Sequence, residues 1–175
     1  PLLLAQFAYA DNTSPIHRGV FLARHIAGRT LRPPPNAIQF KDSEFKPGQT
    51  MREKVTHLTK AADCMSCHSI INPLGFALEN FDAIGRWRNK EKGRPINAAS
   101  DYTTVANTSL KITSPRTIAN YAADSPHGQR HFIEQLFNHL AKQAPGAFGR
   151  ETRDELWQDF VKTDCNVPRL MTEIT

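Results

Sequence analysis

Residues 64–68 read Cys-Met-Ser-Cys-His, a CxxCH segment, and this segment constrains the fold more than any other feature of the chain. Two thiols separated by two residues can add to the two vinyl groups of haem, and the histidine that follows can bind the iron. A chain that binds haem in this way has to build its core around a large, rigid macrocycle. The segment therefore predicts one covalent haem c held by Cys64, Cys67 and His68, with His68 as the proximal iron ligand.

Three other interpretations of the cysteines fit less well. A zinc site needs four ligands in a tetrahedron, but the side chains of the neighbours Cys67 and His68 diverge, and Cys165 is the only further thiol. A redox CxxC is typical of a thioredoxin-like βαβ context, which the sequence lacks. A structural disulfide or buried thiols would leave His68 unexplained. We interpret Cys165 as a free buried thiol, with a disulfide to another chain as the alternative.

Residues just after the motif are candidates for contacts with the haem. The second ring nitrogen of a haem-binding histidine usually donates to a backbone carbonyl, and we expect this carbonyl in a turn around Asn72 and Pro73. Arg86 and Arg88 flank Trp87. Guanidinium groups pair with carboxylates and the Trp Nε1–H can donate one more hydrogen bond, so one or more of these three residues are predicted to hold a haem propionate. The alternative is an exposed basic turn with a buried Trp87.

The sequence leaves the sixth iron ligand open. Met171 stands almost at the end of the chain, where fraying is expected. Met51, on a helix before the motif, and His139, within an apolar helix, are the two candidates that we keep. An open or water-bound site is the third possibility.

The N-terminal third contains one helix and one stretch that excludes helix. Ser14 is a plausible N-cap and Pro15 suits the first helical position, so a helix is predicted that Gly28 would end. The polyproline stretch Pro33–Pro35 cannot form a helix or a central strand. The apolar opening PLLLAQFAYA lacks a basic region and is interpreted as a buried helix or strand rather than a signal peptide.

The remaining pattern predicts a mainly α fold. A capping box closed by Glu53 predicts a helix from Thr50 to about Ala62 with Met51 on its apolar face. Positions 89–115 are polar and show little periodicity, whereas two apolar stripes predict two helices. The first lies within His131–Lys142 and consists of Phe132, Leu136, Phe137 and Leu140, and the second lies within Leu156–Val161. We expect a cytochrome c-like helical haem domain with extended Pro-rich loops and a C-terminal helical segment. The predicted division is a haem-binding region at 1–95 and a loop and helical region at 96–175.

Length and charge narrow the class of protein further. With 175 residues the chain suits one domain or one and a half. The net charge of +5 fits docking to an acidic redox partner, and no Lys/Arg stripe with interleaved aromatics predicts nucleic-acid binding. No stretch approaches the roughly twenty apolar residues of a membrane span. The chain begins at Pro1 without Met, so we expect a processed or excised piece whose export signal lay upstream.

Several segments resemble one known family. NPLGFALENFDAIGRWR at Asn72–Arg88, directly after the CxxCH region, looks like a cytochrome c-like domain of unknown function from large multidomain planctomycete proteins. TSPIHRG at Thr13–Gly19 and the triple proline match the same family. LFNHLAKQ at Leu136–Gln143 is similar to the smaller uncharacterised domain that follows it in those proteins. The resemblance implies an exported protein, periplasmic or otherwise extracytoplasmic, that binds haem c through Cys64, Cys67 and His68.

Taken together, these features predict a monohaem c-type cytochrome module that transfers single electrons as part of a larger chain or assembly. Its partners would be a redox protein or neighbouring haem subunits. The alternative is a haem enzyme domain with an open sixth site, peroxidase-like or binding small ligands, and a structural module is a third possibility. We favour electron transfer over catalysis because no acid–base pair stands at a fixed spacing from the motif.

Overall fold

The computed structural model describes residues 2–33 and 40–175. Of these described residues 54% are helical, which confirms the mainly α class. Within the described residues the α-helices are α1 Leu2–Gln6, α2 Pro15–Phe21, α3 Met51–Leu58, α4 Ala62–Phe76, α5 Pro115–Asp124, α6 Pro126–Ala141, α7 Thr152–Lys162 and α8 Val167–Ile174. Two antiparallel hairpins join β1 Lys90–Glu91 to β2 Arg94–Pro95 and β3 Ser100–Thr103 to β4 Ser109–Ile112. No helix among the described residues is long and apolar enough to cross a membrane.

The chain divides into two compact units. The first unit comprises Pro1–Arg24 and Arg29–Ala119, and the second comprises His25–Gly28 and Asn120–Thr175. The sequence prediction placed a boundary between residues 95 and 96 instead. The structure keeps the β3–β4 hairpin in the first unit because β3 packs against α4, and Tyr102 on β3 is buried there.

The first unit is built on a close crossing of α2 and α4. A Cβ on Gly19 would clash with the carbonyl oxygen of Ile71, and a Cβ on Gly75 would clash with that of Pro15. Only glycine leaves room for two backbones at this distance. The two glycines therefore let α2 support the C-terminal half of α4.

The start and end of the α2 segment agree with the prediction. Pro15 is the first helical residue, but the Ser14 hydroxyl makes no cap hydrogen bond and lies 2.7 Å from Nδ1 of His17. The segment continues as a π-helix over Leu22–Ile26, and Gly28 follows with φ of +64°. Pro34 and Pro35 of the predicted polyproline stretch lie outside the described residues.

The capping box of α3 is confirmed, but the helix is shorter than predicted. Thr50 Oγ1 accepts from the backbone N–H of Glu53, and the Glu53 carboxylate accepts from the backbone N–H of Thr50 at 2.8 Å. The helix ends at Leu58 rather than near Ala62, because Thr59 closes it with a hydrogen bond from Oγ1 to the carbonyl of Val55 at 2.8 Å. Met51 is buried as predicted.

Two other regions depart from the sequence prediction. The opening segment forms α1, but Leu2 is 83% exposed, so this helix is not buried. The polar region after residue 89 contains two hairpins that the periodicity missed. Their strands have two to four residues, too short for alternation to be visible, and the turns use left-handed residues at Lys92, Gly93 and Asn107.

The second unit packs its helices around Ile133, Phe160 and Leu170. Both helices predicted for this part are present, as α6 and α7, with wider bounds than the apolar stripes indicated. Phe132 was predicted on the apolar stripe of α6, but it is exposed and the adjacent Ile133 is buried instead.

Candidate haem-attachment site

The CxxCH motif lies in the first two turns of α4. Because Cys67 and His68 follow Cys64 by three and four residues on a helix, the three side chains share one face. Both thiols are free and half-buried, and the only hydrogen bond to either is a weak one from Ser66 Oγ to Cys67 Sγ at 3.9 Å within the described residues. The motif thus presents two unbonded thiols and one imidazole on one side of a helix.

A chain of side-chain hydrogen bonds orients the ring of His68. Its Nδ1 lies 2.9 Å from Oδ1 of Asn72, and Nδ2 of Asn72 donates to Oγ1 of Thr59 at 2.9 Å. Because Asn72 Nδ2 is committed to Thr59, the oxygen is the atom that faces the ring. His68 Nδ1 therefore carries the proton, and Nε2 keeps its lone pair for a metal.

This arrangement corrects the predicted partner of His68. We expected a backbone carbonyl in a turn around Asn72 and Pro73, but both residues lie inside α4. Helical carbonyls point along the axis towards the following turn, so a side chain four residues on is what reaches the ring. Pro73 has no N–H, and the helix passes through it because α4 is buried from Ile71 onward.

The residues present fit a haem c. Covalent attachment needs two unpaired thiols and an imidazole whose outer nitrogen is free, and each of these is found at Cys64, Cys67 and His68. In residues 2–33 and 40–175 no group of three or more His, Cys, Asp or Glu residues is arranged to hold a metal ion by itself.

The predicted propionate residues lie in the loop after α4, and each of the three has a different partner there. The Asp82 carboxylate accepts from the Arg86 backbone N–H and from Arg86 Nε, both at 2.8 Å, and these bonds hold the pKa of Asp82 below its usual value. Arg88 donates through Nε to the carbonyl of Glu79 at 3.0 Å. Trp87 is 65% exposed and meets Phe81 edge-to-face, so the alternative of a buried tryptophan is wrong.

Arg18 is a structural residue that sequence reasoning missed. Its side chain is buried, and the guanidinium donates to five backbone carbonyls at 2.7–3.2 Å, those of Leu4, Phe7, Leu78, Phe81 and Asp82. Burial lowers its pKa. The one available signal was its place inside the TSPIHRG segment, and the structure explains that segment as a brace for the loop after α4.

Glu79 is the second buried charged group that the sequence did not reveal. One carboxylate oxygen, Oε2, accepts from Thr13 Oγ1 at 2.9 Å and from Arg88 at 3.4 Å. The other, Oε1, is buried and has no hydrogen-bond partner among the described residues. The pKa of Glu79 is raised to about 7, mainly by burial and in smaller part by the nearby Glu91 carboxylate, while the hydrogen bond from Thr13 and the charges of Arg88 and Arg18 oppose the rise.

The remaining predicted residues lie as follows. Met51 is buried on α3, where its backbone N–H donates to Oε1 of Glu91 at 3.0 Å. His139 lies in the last turn of α6 in the second unit and is exposed. Cys165 is free but exposed rather than buried, because it follows α7 in a left-handed conformation with φ of +55°.

Comparison with known families gives one result. The family model PSCyt3, described as a protein of unknown function (DUF1588), matches residues 1–91. The match includes α1 to α4, the CxxCH motif and the loop that Arg18 braces. No curated protein and no solved structure matches the chain.

Proposed function

The chain belongs to the PSCyt3 family, a cytochrome-like family of unknown function, and from this premise we propose that it is a monohaem c-type cytochrome module that transfers single electrons. The observation that carries the proposal is the arrangement on α4, where two free thiols share a face with an imidazole whose Nε2 is available. A bound haem c supplies one reversible electron by cycling between ferrous and ferric iron.

Each residue of the site has a defined part in this proposal. Cys64 and Cys67 would hold the porphyrin through thioether bonds, each formed when an S–H adds across a vinyl double bond with the sulfur on one carbon and the hydrogen on the other. His68 would hold the iron through Nε2. Asn72, held by Thr59, keeps the proton on Nδ1 and thereby keeps the ring in the binding orientation.

The test is the covalent bond itself. The chain is expressed with a haem c maturation system, and the intact mass and a haem-stained denaturing gel are recorded. One added haem that survives acid-acetone extraction is expected. Cys64→Ala and Cys67→Ala together should abolish the stain, whereas Cys165→Ala, which removes the exposed thiol outside the motif, should keep it. A protein that gains no mass, or that loses all colour on extraction, contradicts the proposal.

The sixth ligand is addressed by the ferric optical spectrum with and without cyanide. A low-spin spectrum that changes to high-spin in Met51→Ala or in His139→Ala assigns the ligand to that residue. A high-spin wild-type spectrum that responds to cyanide means an open site and favours the enzyme over electron transfer.

The partners and location in this proposal follow from the resemblance and the charge. The planctomycete proteins with the same motif context are expected to be exported, so we place the module outside the cytoplasm, in a larger chain or assembly. The net charge of +5 suits an acidic redox partner. Association with such a partner should weaken as salt increases, which stopped-flow electron transfer at two ionic strengths measures.

A further inference from the structure

A cleft outside the attachment motif lies between α3 and the β1–β2 hairpin of the first unit. Its volume is about 820 Å³. Arg52 and His57 line it from α3, Lys60 follows that helix, and Glu91 and Arg94 line it from the hairpin. Neither the two motif thiols nor His68 is among the lining residues, so the cleft is a separate feature.

Glu79 is part of the lining, and one of its carboxylate oxygens is unsatisfied. Its side chain is 1% exposed, and Oε1 has no partner in the described part of the chain. Leaving a buried polar atom without a hydrogen bond destabilises a protein. A ligand atom that reaches Oε1 from the cleft would remove this cost.

The positive groups of the cleft differ in how far they are already paired. Arg94 donates to Glu53 through both terminal nitrogens, at 2.9 and 2.6 Å, so its charge is already paired. Arg52 lies 4.4 Å over the ring of Phe76 and bonds through its terminal nitrogens only to neutral groups. Lys60 is exposed and no described residue pairs with it. Among the residues that the structure describes, neither Arg52 nor Lys60 forms an ion pair with a carboxylate, although the charge of Glu79 acts on Arg52 from a distance.

We propose that this cleft binds a carboxylate, which hydrogen-bonds to Oε1 of the Glu79 carboxyl group and is neutralised by Lys60 and Arg52. A cationic ligand would face the same two positive charges and is disfavoured. The carboxylate has two sources, a small free carboxylic acid or a propionate of the haem, and only the second rests on the proposed function.

The electrostatics around Glu79 agree with a shared proton. Burial raises the pKa of Glu79 to about 7, so a proton is available near neutral pH. The charged groups acting on it are Arg18, Arg52 and Arg88, which favour ionisation, and Glu91, which opposes it. His57 is a second ionisable residue that lines the cleft, so the test must separate the two residues.

The experiment titrates succinate into the full chain at pH 6 and pH 8, in low salt, by isothermal calorimetry. Binding is expected at pH 6 and should be about tenfold weaker at pH 8, where Glu79 loses its proton. Lys60→Ala should weaken binding about tenfold, whereas Lys162→Ala, an exposed lysine on α7, should not. Glu79→Gln should bind equally at both pH values, and His57→Gln should keep the pH dependence. Succinamide, which has the shape without the charge, should not bind.

Protein prepared with and without haem distinguishes the two sources. Succinate binding to both preparations indicates a free carboxylate. Binding to the haem-free chain alone indicates a propionate, and the propionate bending mode in the resonance Raman spectrum of the loaded protein should then move in Lys60→Ala. If the haem-free chain does not fold, the resonance Raman measurement on the loaded protein tests the inference by itself. The inference is overturned if neither preparation binds and the Raman mode stays unchanged, or if Lys162→Ala weakens binding as much as Lys60→Ala. If no haem attaches, the proposed function fails while succinate still tests the cleft.

Discussion

The two halves of α4 differ in burial and in the kind of residue that they carry. The N-terminal half carries Cys64, Cys67 and His68, and its side chains are exposed or half-buried with few hydrogen bonds. The C-terminal half, from Ile71 to Phe76, is buried throughout and crosses α2 at two glycines. The difference indicates that the buried C-terminal half fixes the helix in place, while the reactive groups of the N-terminal half stay accessible. Asn72 joins the halves, because it lies in the buried part and holds the imidazole of the open part.

The strongest test of this contrast is a methyl group at the helix crossing. Gly75→Ala should lower the free energy of unfolding by about 3 kcal/mol, because the new Cβ would clash with the backbone of Pro15. Gly146→Ala, where nothing lies within 4 Å, should change it by less than about 0.5 kcal/mol. Urea denaturation measures both. Equal effects would mean that the crossing is not a rigid support.

The second test uses pH. The pKa of Glu79 is about 7 in the folded protein, against an ordinary value of 4.5 for a solvated glutamate, so the folded state binds the proton more tightly than the unfolded chain. Ionisation of Glu79 therefore lowers the free energy of unfolding. This loss is absent below pH 4.5 and grows as the pH rises to 7. Glu79→Gln removes this contribution, so its stability relative to wild type should rise by on the order of 3 kcal/mol between pH 4 and pH 8.

Glu53 supplies the control of opposite sign for that experiment. Its hydrogen bonds from Arg94 and Thr50 lower its pKa to about 2. The stability that Glu53 contributes is therefore present above pH 4.5 and is lost as the pH falls towards 2. Glu53→Gln should destabilise the protein more at pH 7 than at pH 2. The same sign for both variants would contradict the assignment of Glu79 as the group that resists ionisation.

The residue that joins the halves gives a smaller effect. Asn72→Ala leaves Nδ1 of His68 and Oγ1 of Thr59 without their partner and should cost about 1–2 kcal/mol. Nitrogen-15 NMR of the imidazole should show one tautomer in wild type and a mixture in the variant. A single unchanged tautomer in Asn72→Ala would show that another group orients the ring.

The smallest effect is expected in the open half. Cys64→Ser in the haem-free chain should change stability by less than about 0.5 kcal/mol, because the half-buried thiol makes no hydrogen bond with any described residue. If Cys64→Ser lowered the free energy of unfolding by more than about 2 kcal/mol, the N-terminal half of α4 would be part of the core, and the two halves would not differ as described.

Local features of the chain were predictable because each depends on neighbours in sequence. The capping box of Thr50 and Glu53, the start of α2 at Pro15 and the grouping of the motif residues all involve contacts within five positions. The short hairpins after residue 89 were missed because two to four residues give no readable alternation. The prediction that Phe132 lies on the core-facing stripe of α6 was wrong, because only the packing of α7 and α8 decides which side of α6 is covered.

The amino-acid sequence by itself determined the mainly α class, the capping box of α3 and the chemistry available at residues 64–68, since these depend on spacing and residue type. Tertiary structure alone decided that Asn72 orients His68, that Arg18 braces the loop after α4 and that Glu79 is buried with an unsatisfied oxygen. Thr59 and Asn72 are 13 positions apart, and Arg18 and Phe81 are 63 apart. No local pattern encodes such pairs, because long-range packing brings them together.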